Sequence, residues 1–437
     1  MARYFITGGG TGGHIYPAIA VADELLEGWR SGSIEVWQLS EEQRAGSQEG
    51  KLFNKSSLSE ISQEQLTDKN LSTIQPFNHS TKNSHTSIPP YIQPSENEVF
   101  YVGSPQNLEY DIVKQKGYTF LPVNVHGMPR KIGFSLIKWV IQLDIAVIKC
   151  CYYILKYKPD AIFGTGGYVS APALIAGKML NIPIMMHDCD AQPGLVTRHL
   201  APSANCVSVA FESACDILKN KNCHVNGNPI RSEFKTLSKE DARSALGLEN
   251  KLTLCIMGGS QGARSINNAS VNILEKLSKE LDLQIIFQTG KKNFDTVIEQ
   301  LLKIYPDYEQ DKNLLVRPYF DNMVSVLKAS DIAVSRSGSL SISEICASSI
   351  APIFVPYPYA AQDHQRKNAK FMVEKGAGLY IDDNDINSKI LYEKIEELVK
   401  DSAKLKEIQQ NSFNLAHLDG TEKIVEQLES IIEKRHT

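Results

Sequence analysis

The chain opens with a short apolar run at residues 4–6, which is followed by glycines and then by apolar residues at helical spacing. The residues on this helical face are Ile15, Ile19, Ala22 and Leu26. Because apolar residues three or four positions apart share one face, the pattern predicts an α-helix. Pro17 has a fixed φ that suits a first turn, so we expect the helix to start near it. A strand, a glycine loop and a helix in this order are typical of a Rossmann-like domain.

Short apolar runs that alternate with helical stretches continue along the chain. In the first half the predicted strands are residues 120–125, 161–163, 184–187 and 206–209. In the second half they are residues 252–257, 283–288, 314–316, 332–334 and 353–355. Strands that alternate with helices predict an α/β class with parallel sheets, because parallel strands need crossover connections.

Turn-forming residues at positions 226–231 separate two segments in which strands alternate with helices. We therefore predict two Rossmann-like domains, residues 1–228 and 229–417, that face a common cleft. Residues 418–437 are predicted as a C-terminal helix that packs back on the first domain, since no sheet partner for it is evident.

Residues 40–97 interrupt the pattern of the first domain. They are rich in Ser, Gln, Asn, Glu and Lys and have no sustained period, so we expect a mostly disordered insertion that cannot offset its ordering entropy. Residues 34–37 before it and 98–103 after it both resemble the second strand. We favour residues 98–103, because a Gly-Ser-Pro turn follows directly.

Each predicted domain begins with a glycine loop, at residues 8–13 and 258–262. Ligands of open parallel sheets bind at the carboxyl ends of the strands, so both loops are expected at one interdomain cleft. Their N–H groups and the helix N-termini suit an anion such as a diphosphate. The first loop has neither a dinucleotide fingerprint with its acidic partner nor the Lys-Ser/Thr pair of a P-loop.

Polar residues near these loops are candidates for ligand chemistry. Ser260 and Arg231 suit a diphosphate, and Glu344 suits a ribose diol, although a carboxylate at that helix start also favours the helix dipole. Gln365 and Asn368 follow a polar, proline-rich loop and suit sugar hydroxyls. The sequence has no metal-ligand spacing, so we expect no metal and no other cofactor. Amides, helix dipoles and Arg231 would then stabilise a departing diphosphate.

His14 lies where the first loop meets its helix. A structural histidine that donates to a nearby carbonyl is the commoner role, and a catalytic role is the alternative. The loop by itself favours the structural role.

Composition narrows the class of protein. Among 437 residues, 42% are hydrophobic and 22% are charged, which is typical of a folded protein rather than a disordered or fibrous one. The formal net charge of −4 argues against a nucleic-acid binder. The eight cysteines have no C-x-x-C spacing, so we expect reduced thiols and neither zinc nor a disulfide framework.

Residues 134–157 are the most apolar stretch, but Lys138, Asp144, Lys149 and Lys156 interrupt it, and we expect that it does not span a membrane. The N-terminus has no room for the apolar region of a signal peptide, so a cytosolic protein is expected. Apolar residues with basic neighbours suit an interfacial helix on anionic lipid, although a helix that covers its own sheet is commoner. The predicted membrane surface consists of Lys131, Phe134, Ile137, Lys138 and Trp139.

Five motifs occur in one order along the chain. They are GGTGGHIYPA from position 9, GTGGYVS from 164, GNPIR from 227, GGSQGAR from 258, and RSGS through SE from 336 to 344. Together they resemble the MurG family of bacterial peptidoglycan glycosyltransferases over nearly everything except the insertion.

The resemblance implies a GT-B fold, with the acceptor in the first domain and UDP-GlcNAc mainly in the second. It implies inverting transfer of GlcNAc to the 4-hydroxyl of MurNAc in lipid I, which gives lipid II. It also implies a peripheral position on the cytoplasmic face of the inner membrane, with cell-wall synthesis and division proteins as further partners.

The resemblance also implies roles for single residues. The donor set is Thr11, Gly12, Gly13, Asp190, Arg231, Ser260, Phe320, Ser339, Leu340, Glu344, Gln365 and Asn368. Within it, Phe320 would recognise uracil through its backbone and Glu344 would hold the ribose. His14 would lie near the reacting centre as a general base or a charge-stabilising group. Tyr168 and Asp188 would line the acceptor side of the cleft.

One stretch departs from the family pattern. Residues 187–190 read His-Asp-Cys-Asp, where the family usually has His-Glu-Gln-Asn. The carboxylate of Asp190 would repel a diphosphate unless it is protonated or turned away. Two alternatives therefore stay open, another GT-B enzyme such as a glycolipid synthase or an epimerase, and an inactive nucleotide-sugar scaffold. A dehydrogenase is disfavoured, because no acidic ribose ligand ends the second strand.

Overall fold

The computed structural model describes residues 2–27, 97–129, 133–259 and 261–436. Within these ranges the strands form two sheets in which every pairing is parallel. This confirms the α/β class and the pair of Rossmann-like sheets. The insertion, apart from Asn97, and the rival strand at residues 34–37 lie outside the described residues.

The first sheet has the strand order β3-β2-β1-β4-β5-β6-β7. Its strands are β1 (Arg3–Thr7), β2 (Glu98–Gly103), β3 (Thr119–Pro122), β4 (Ala161–Gly164), β5 (Ile184–Asp188), β6 (Cys206–Val209) and β7 (Cys223–Val225). The helices along this part of the chain are α1 (Gly12–Glu27), α2 (Leu108–Gln115), α3 (Phe134–Tyr157), α4 (Ala171–Met179), α5 (Leu195–Leu200) and α6 (Glu212–Leu218). The favoured second strand, residues 98–103, is β2.

The second sheet has the order β10-β9-β8-β11-β12-β13, in which the first strand is again central. Its strands are β8 (Thr253–Met257), β9 (Gln284–Gln288), β10 (Leu314–Arg317), β11 (Ile332–Ser335), β12 (Ala351–Phe354) and β13 (Leu379–Tyr380). The helices that precede and accompany it are α7 (Glu233–Thr236), α8 (Lys239–Ala245), α9 (Arg264–Val271), α10 (Leu274–Glu280), α11 (Phe294–Ile304), α12 (Met323–Ala329), α13 (Ser339–Ala347), α14 (His364–Glu374), α15 (Ser388–Lys400) and α16 (Ser402–Asn414).

The last helix, α17 (Gly420–His436), returns to the first sheet. Its apolar residues Ile424, Leu428 and Ile431 are buried in the same cluster as Ile6 and Phe163 of the first sheet. This helix therefore buries its apolar face against the first sheet. The chain passes from the first sheet to the second and then returns, so it crosses the joint between them twice.

The predicted start of the first helix, near Pro17, was wrong by about one turn. Helix α1 begins at Gly12, and Pro17 lies inside it. Since proline lacks an N–H, the carbonyl oxygen of Gly13 receives no hydrogen bond from position 17. Because the helix begins at Gly12, Gly12 and Gly13 belong to its first turn, and His14 lies in that turn as well.

The expectation that all cysteines are reduced was also wrong. Cys215 and Cys223 form a disulfide with a Cα–Cα distance of 5.8 Å. Helix α6 ends at Leu218, and Lys219 then takes a left-handed φ of 53°, which reverses the chain. The reversal brings two cysteines eight positions apart together at a sheet edge, a closeness that spacing alone did not suggest.

Candidate active site

The first glycine loop rests on a buried carboxylate that the sequence did not single out. Glu109 on α2 is fully buried, and its Oε2 accepts a hydrogen bond from the Gly10 N–H at 3.3 Å. Its Oε1 accepts from the Ser104 N–H at 3.2 Å. A Cβ at Gly9 would lie 2.5 Å from that Oε1, so only glycine fits there. One amide of the loop is therefore already bonded, and a ligand anion would face the amides further on.

Those amides belong to Thr11, Gly12 and Gly13 at the N-terminus of α1, where Thr11 is exposed. The ring of Tyr168 packs over the loop, since a Cβ at Gly10 would be 3.1 Å from a ring carbon. The Tyr168 hydroxyl also accepts a hydrogen bond from Asn107 Nδ2 at 3.2 Å. Tyr168 therefore lies at the mouth of this loop.

His14 is half-buried in the first turn of α1. Its Nδ1 lies 3.7 Å from Sγ of Cys189, and its ring lies against Gly167, whose Cβ would be 3.1 Å from Cδ2. The Thr165 hydroxyl donates to the His14 carbonyl oxygen at 2.6 Å and fixes this turn to the end of β4. None of the described residues is hydrogen-bonded to Nε2, the other ring nitrogen.

Asp188 is the last residue of β5. It is 3% exposed, and its oxygens accept from the backbone N–H groups of Asp190 at 3.2 Å and Gly194 at 3.1 Å. Burial raises the pKa of its carboxyl. Both oxygens thus stabilise the loop after β5, so Asp188 shapes the wall of the cleft.

Asp190 and Asn368 contact each other across the joint. Asn368 Nδ2 donates to Asp190 Oδ1 at 3.0 Å and to the Ser337 carbonyl at 3.3 Å, and Asn368 Oδ1 accepts from the Ala191 N–H at 3.0 Å. Asn368 is fully buried, and in this conformation its amide oxygen and both its N–H groups have partners within the protein. The Asp190 carboxylate is directed towards an amide donor of the second domain.

Glu344 and Arg231, both predicted at the donor, contact each other. Arg231 donates to Glu344 Oε1 at 3.2 Å, and the Glu344 side chain is 15% exposed. Burial raises the pKa of the Glu344 carboxyl, and the Arg231 guanidinium opposes that rise. A guanidinium has five N–H donors, so this one bond leaves Arg231 able to bind a phosphate oxygen as well.

The other predicted donor residues surround the N-terminus of α13. Ser339 is its buried first residue, and Leu340 is half-buried against the core. The N–H of Phe320 donates to Gln288 Oε1 at 3.0 Å, so the amide that was expected to recognise uracil is occupied in this conformation. Gln365 Oε1 accepts from the Tyr357 N–H at 2.9 Å, and its amide nitrogen is left for a ligand. Ser260 lies outside the described residues.

A buried chain of polar side chains joins the two sheets behind these residues. His187 is fully buried, its Nδ1 lies 3.1 Å from the Ser208 hydroxyl, and its Nε2 lies 3.0 Å from Asn228 Oδ1. Asn228 Nδ2 in turn donates to the Ser343 hydroxyl of α13 at 3.0 Å. Burial lowers the pKa of His187 to about 4, so its ring is neutral. The neutral ring of His187 thus connects the first sheet with α13, and spacing along the chain did not indicate this role.

Helix α3 carries a long exposed apolar stripe. It consists of Phe134, Ile137, Ile141, Ile145, Ile148, Tyr152 and Leu155, at spacings of three or four residues. Phe134 is 82% exposed and Ile148 is 69% exposed, and Lys138 lies beside the stripe. Trp139 does not belong to it, because it is half-buried and its Nε1 donates to the His126 carbonyl at 2.8 Å. Lys131 lies outside the described residues.

Within the described parts of the chain, no helix is long and apolar enough to cross a membrane. The same residues contain no group of three or more His, Cys, Asp or Glu side chains that could hold a metal ion.

The chain is similar in sequence to known glycosyltransferases. The glycosyltransferase family 28 N-terminal domain matches residues 87–209, and the family 28 C-terminal domain matches residues 253–428. A UDP-N-acetylglucosamine–N-acetylmuramyl-(pentapeptide) pyrophosphoryl-undecaprenol N-acetylglucosamine transferase of Caldanaerobacter subterraneus subsp. tengcongensis is 31% identical over 98% of this chain and 100% of its own length. An enzyme of the same name from Halothermothrix orenii is 34% identical over 72% of this chain and 86% of its own length.

Among solved structures, the crystal structure of Acinetobacter baumannii MurG matches 98% of this chain and 100% of its own, with a TM-score of 0.67 and 21% identity. That likeness concerns the fold, and together with the two domain matches it confirms the GT-B class.

Proposed function

The chain belongs to the family of the MurG transferases, and from that premise we propose that it transfers GlcNAc from UDP-GlcNAc to the 4-hydroxyl of MurNAc in lipid I. The transfer inverts the anomeric centre and gives lipid II. The acceptor binds beside the first glycine loop, and the donor binds mainly to the second domain.

One observation carries the proposal. His14 Nδ1 of the first domain lies 3.7 Å from Cys189 Sγ, and the neighbouring Asp190 accepts a hydrogen bond from Asn368 of the second domain. Asn368 also donates to the Ser337 carbonyl, two residues before α13. The candidate base and the start of the predicted nucleoside helix α13 are therefore connected through one short loop. Ligands of open α/β sheets bind at such carboxyl-end crevices.

His14 acts as the general base in this proposal. Its Nε2 takes the proton of the acceptor hydroxyl while that oxygen attacks the anomeric carbon of GlcNAc. The bond from that carbon to the diphosphate oxygen breaks, and its electron pair leaves with UDP. Attack from the face opposite the leaving group inverts the configuration.

The donor is held by groups around α13. Glu344 accepts hydrogen bonds from the ribose diol, and Arg231 binds the diphosphate with the donors that its bond to Glu344 leaves free. The amides of Gly12 and Gly13 and the dipole of α1 favour the developing negative charge of UDP. Gln365 contributes its free amide nitrogen to the GlcNAc hydroxyls, and no metal takes part.

The stripe on α3 supports a peripheral position on the membrane that holds lipid I. Its exposed apolar residues insert at the boundary of headgroups and acyl chains, and Lys138, Lys149 and Lys156 of the same helix attract anionic lipid. We place the protein on the cytoplasmic face of the inner membrane, where UDP-GlcNAc is available.

Incubation with labelled UDP-GlcNAc and a lipid I analogue tests the function. We expect the β-linked disaccharide, release of UDP only when the acceptor is present, and activity in EDTA. UDP release without the acceptor would indicate hydrolysis or another acceptor. Tight binding of UDP-GlcNAc without turnover would indicate the inactive scaffold, and loss of activity in EDTA would contradict the metal-free step.

A further inference from the structure

Cys189 lies between two polar groups. The side chain is 2% exposed, and its Sγ lies 3.7 Å from His14 Nδ1 and 3.8 Å from Asp190 Oδ2. Both measured distances are within the range of sulfur hydrogen bonds, in which the thiol is a weak donor and a weak acceptor.

The direction of these bonds follows from the number of protons. Burial raises the pKa of the Cys189 thiol well above its usual range, so the sulfur keeps its one proton. Two acceptors are within reach of that proton, Asp190 Oδ2 and an unprotonated His14 Nδ1, and an ionised carboxylate is the stronger acceptor. In this arrangement the thiol donates to Asp190, its sulfur accepts from His14, and His14 Nδ1 carries the proton.

We propose that Asp190, Cys189 and His14 form a relay that holds His14 in the tautomer with hydrogen on Nδ1. This rests on the proposed function, because it explains how Nε2 stays unprotonated and free to take the acceptor proton. Cys189 and Asp190 are positioning residues here. A carboxylate that orients a histidine base through its other nitrogen is a known catalytic arrangement, and in this chain a thiol lies between the two groups.

The relay gives a role to two of the three residues that depart from the family pattern, Cys189 and Asp190. A neutral amide at position 190 could not attract the thiol proton as strongly as a carboxylate does. Asn368 donates to the other oxygen of Asp190, so the carboxylate keeps its orientation only when the two domains are in contact. The state of His14 is thereby linked to the position of the second domain.

The tautomer can be measured without any turnover. In protein labelled with ¹⁵N at histidine, two-bond ¹H–¹⁵N correlation spectra distinguish protonated Nδ1 from protonated Nε2, and the His14→Gln variant identifies the His14 signals. We expect a protonated Nδ1 in the unchanged protein and a shift towards protonated Nε2 in Cys189→Ala. A His14 ring with its proton on Nε2 in the unchanged protein would overturn the relay, whether or not the protein proves to be a transferase.

Kinetics then test whether the relay serves the reaction. Cys189→Ala should lower kcat about 10-fold or more with little change in the KM for UDP-GlcNAc, because orientation of the base is lost while donor contacts remain. Cys189→Ser keeps a donor and an acceptor at this position and should restore most of the rate. Cys255→Ala, which removes an equally buried thiol from β8, is the control for packing. Equal losses in the alanine and serine variants, or an unchanged kcat in Cys189→Ala, would contradict the relay.

Discussion

The ring of His187 and the side-chain amide of Asn228 share a hydrogen bond of 3.0 Å at the joint between the two domains. Asn228 uses its nitrogen for Ser343, so its oxygen must accept, and His187 must carry its proton on Nε2. Nδ1 then accepts from the Ser208 hydroxyl, which itself accepts from Asn226 Nδ2 at 3.1 Å. With His187 neutral, every bond of this chain has one donor and one acceptor, and the ring carries no charge that burial would disfavour.

Acidification should therefore weaken the fold through His187. Its pKa is about 4 in the folded protein and 6.5 in the unfolded chain, so the unfolded chain binds more protons between these values. Neutral His187 makes its full contribution to the free energy of unfolding above pH 6.5. This contribution is lost as the pH falls towards 4, and the total loss is about 3 kcal/mol. Urea unfolding of the protein and of His187→Gln at pH 7 and pH 4.5 measures it. We expect a smaller pH dependence in the variant, and equal dependence in both proteins would show that His187 is not the titrating group.

Replacement of Glu344 by alanine should weaken the binding of UDP-GlcNAc by about 2 kcal/mol, because hydrogen bonds to a charged group are lost. Since burial raises the pKa of this carboxyl, donor affinity should also fall on acidification at a higher pH than an exposed glutamate would show. Calorimetric titration measures both effects. Glu393→Ala, at an exposed site on α15, should bind normally, and an unchanged affinity in Glu344→Ala would contradict the placement of the ribose.

His14→Ala should lower kcat by about 10² to 10⁴-fold if Nε2 is the base, since that is the usual contribution of general base catalysis. Binding of UDP-GlcNAc should change little, because the donor contacts lie mainly in the second domain. Steady-state transfer assays separate the two parameters. His224→Ala, at an exposed histidine of β7, is the matched control, and an effect confined to KM would make His14 a binding residue.

The short apolar runs and the glycine-containing turns between them were enough to predict both parallel sheets, because a buried strand has to be apolar along most of its length. They missed β13, which has two residues, and β7, which lies half-exposed at a sheet edge. The site was harder to predict. Glu109 and His187 are single polar residues whose partners lie on other elements, and Asn368 was expected to face a sugar although its amide is used up in the joint. Such pairings depend on tertiary geometry, which spacing along the chain does not contain.

The stripe on α3 should bind anionic membranes. Replacement of Ile148 and Leu155 by aspartate should lower the affinity for phosphatidylglycerol vesicles by about 10-fold or more, because burial of two such side chains contributes on the order of 2 kcal/mol or more. Sedimentation with vesicles measures the bound fraction, and added salt should weaken the basic contribution. Leu302→Asp, at an exposed leucine on α11, is the control. Equal binding by the unchanged protein, the double variant and Leu302→Asp would show that the stripe on α3 is not the membrane-binding surface.

Asn97 connects the C-terminal end of α1 with the start of the first sheet. Asn97 Nδ2 donates to the Leu25 carbonyl of α1 at 3.1 Å, and its Oδ1 accepts from the Ala2 N–H at 3.1 Å. The chain therefore leaves α1 and re-enters at β2 close to the same point, and a much shorter connection can join them at a small entropic cost. Deletion of residues 42–95 should leave the thermal midpoint and the transferase activity nearly unchanged. A large fall in the midpoint would show that the insertion contributes to the fold, and a loss of activity at an unchanged midpoint would assign it a part in substrate binding.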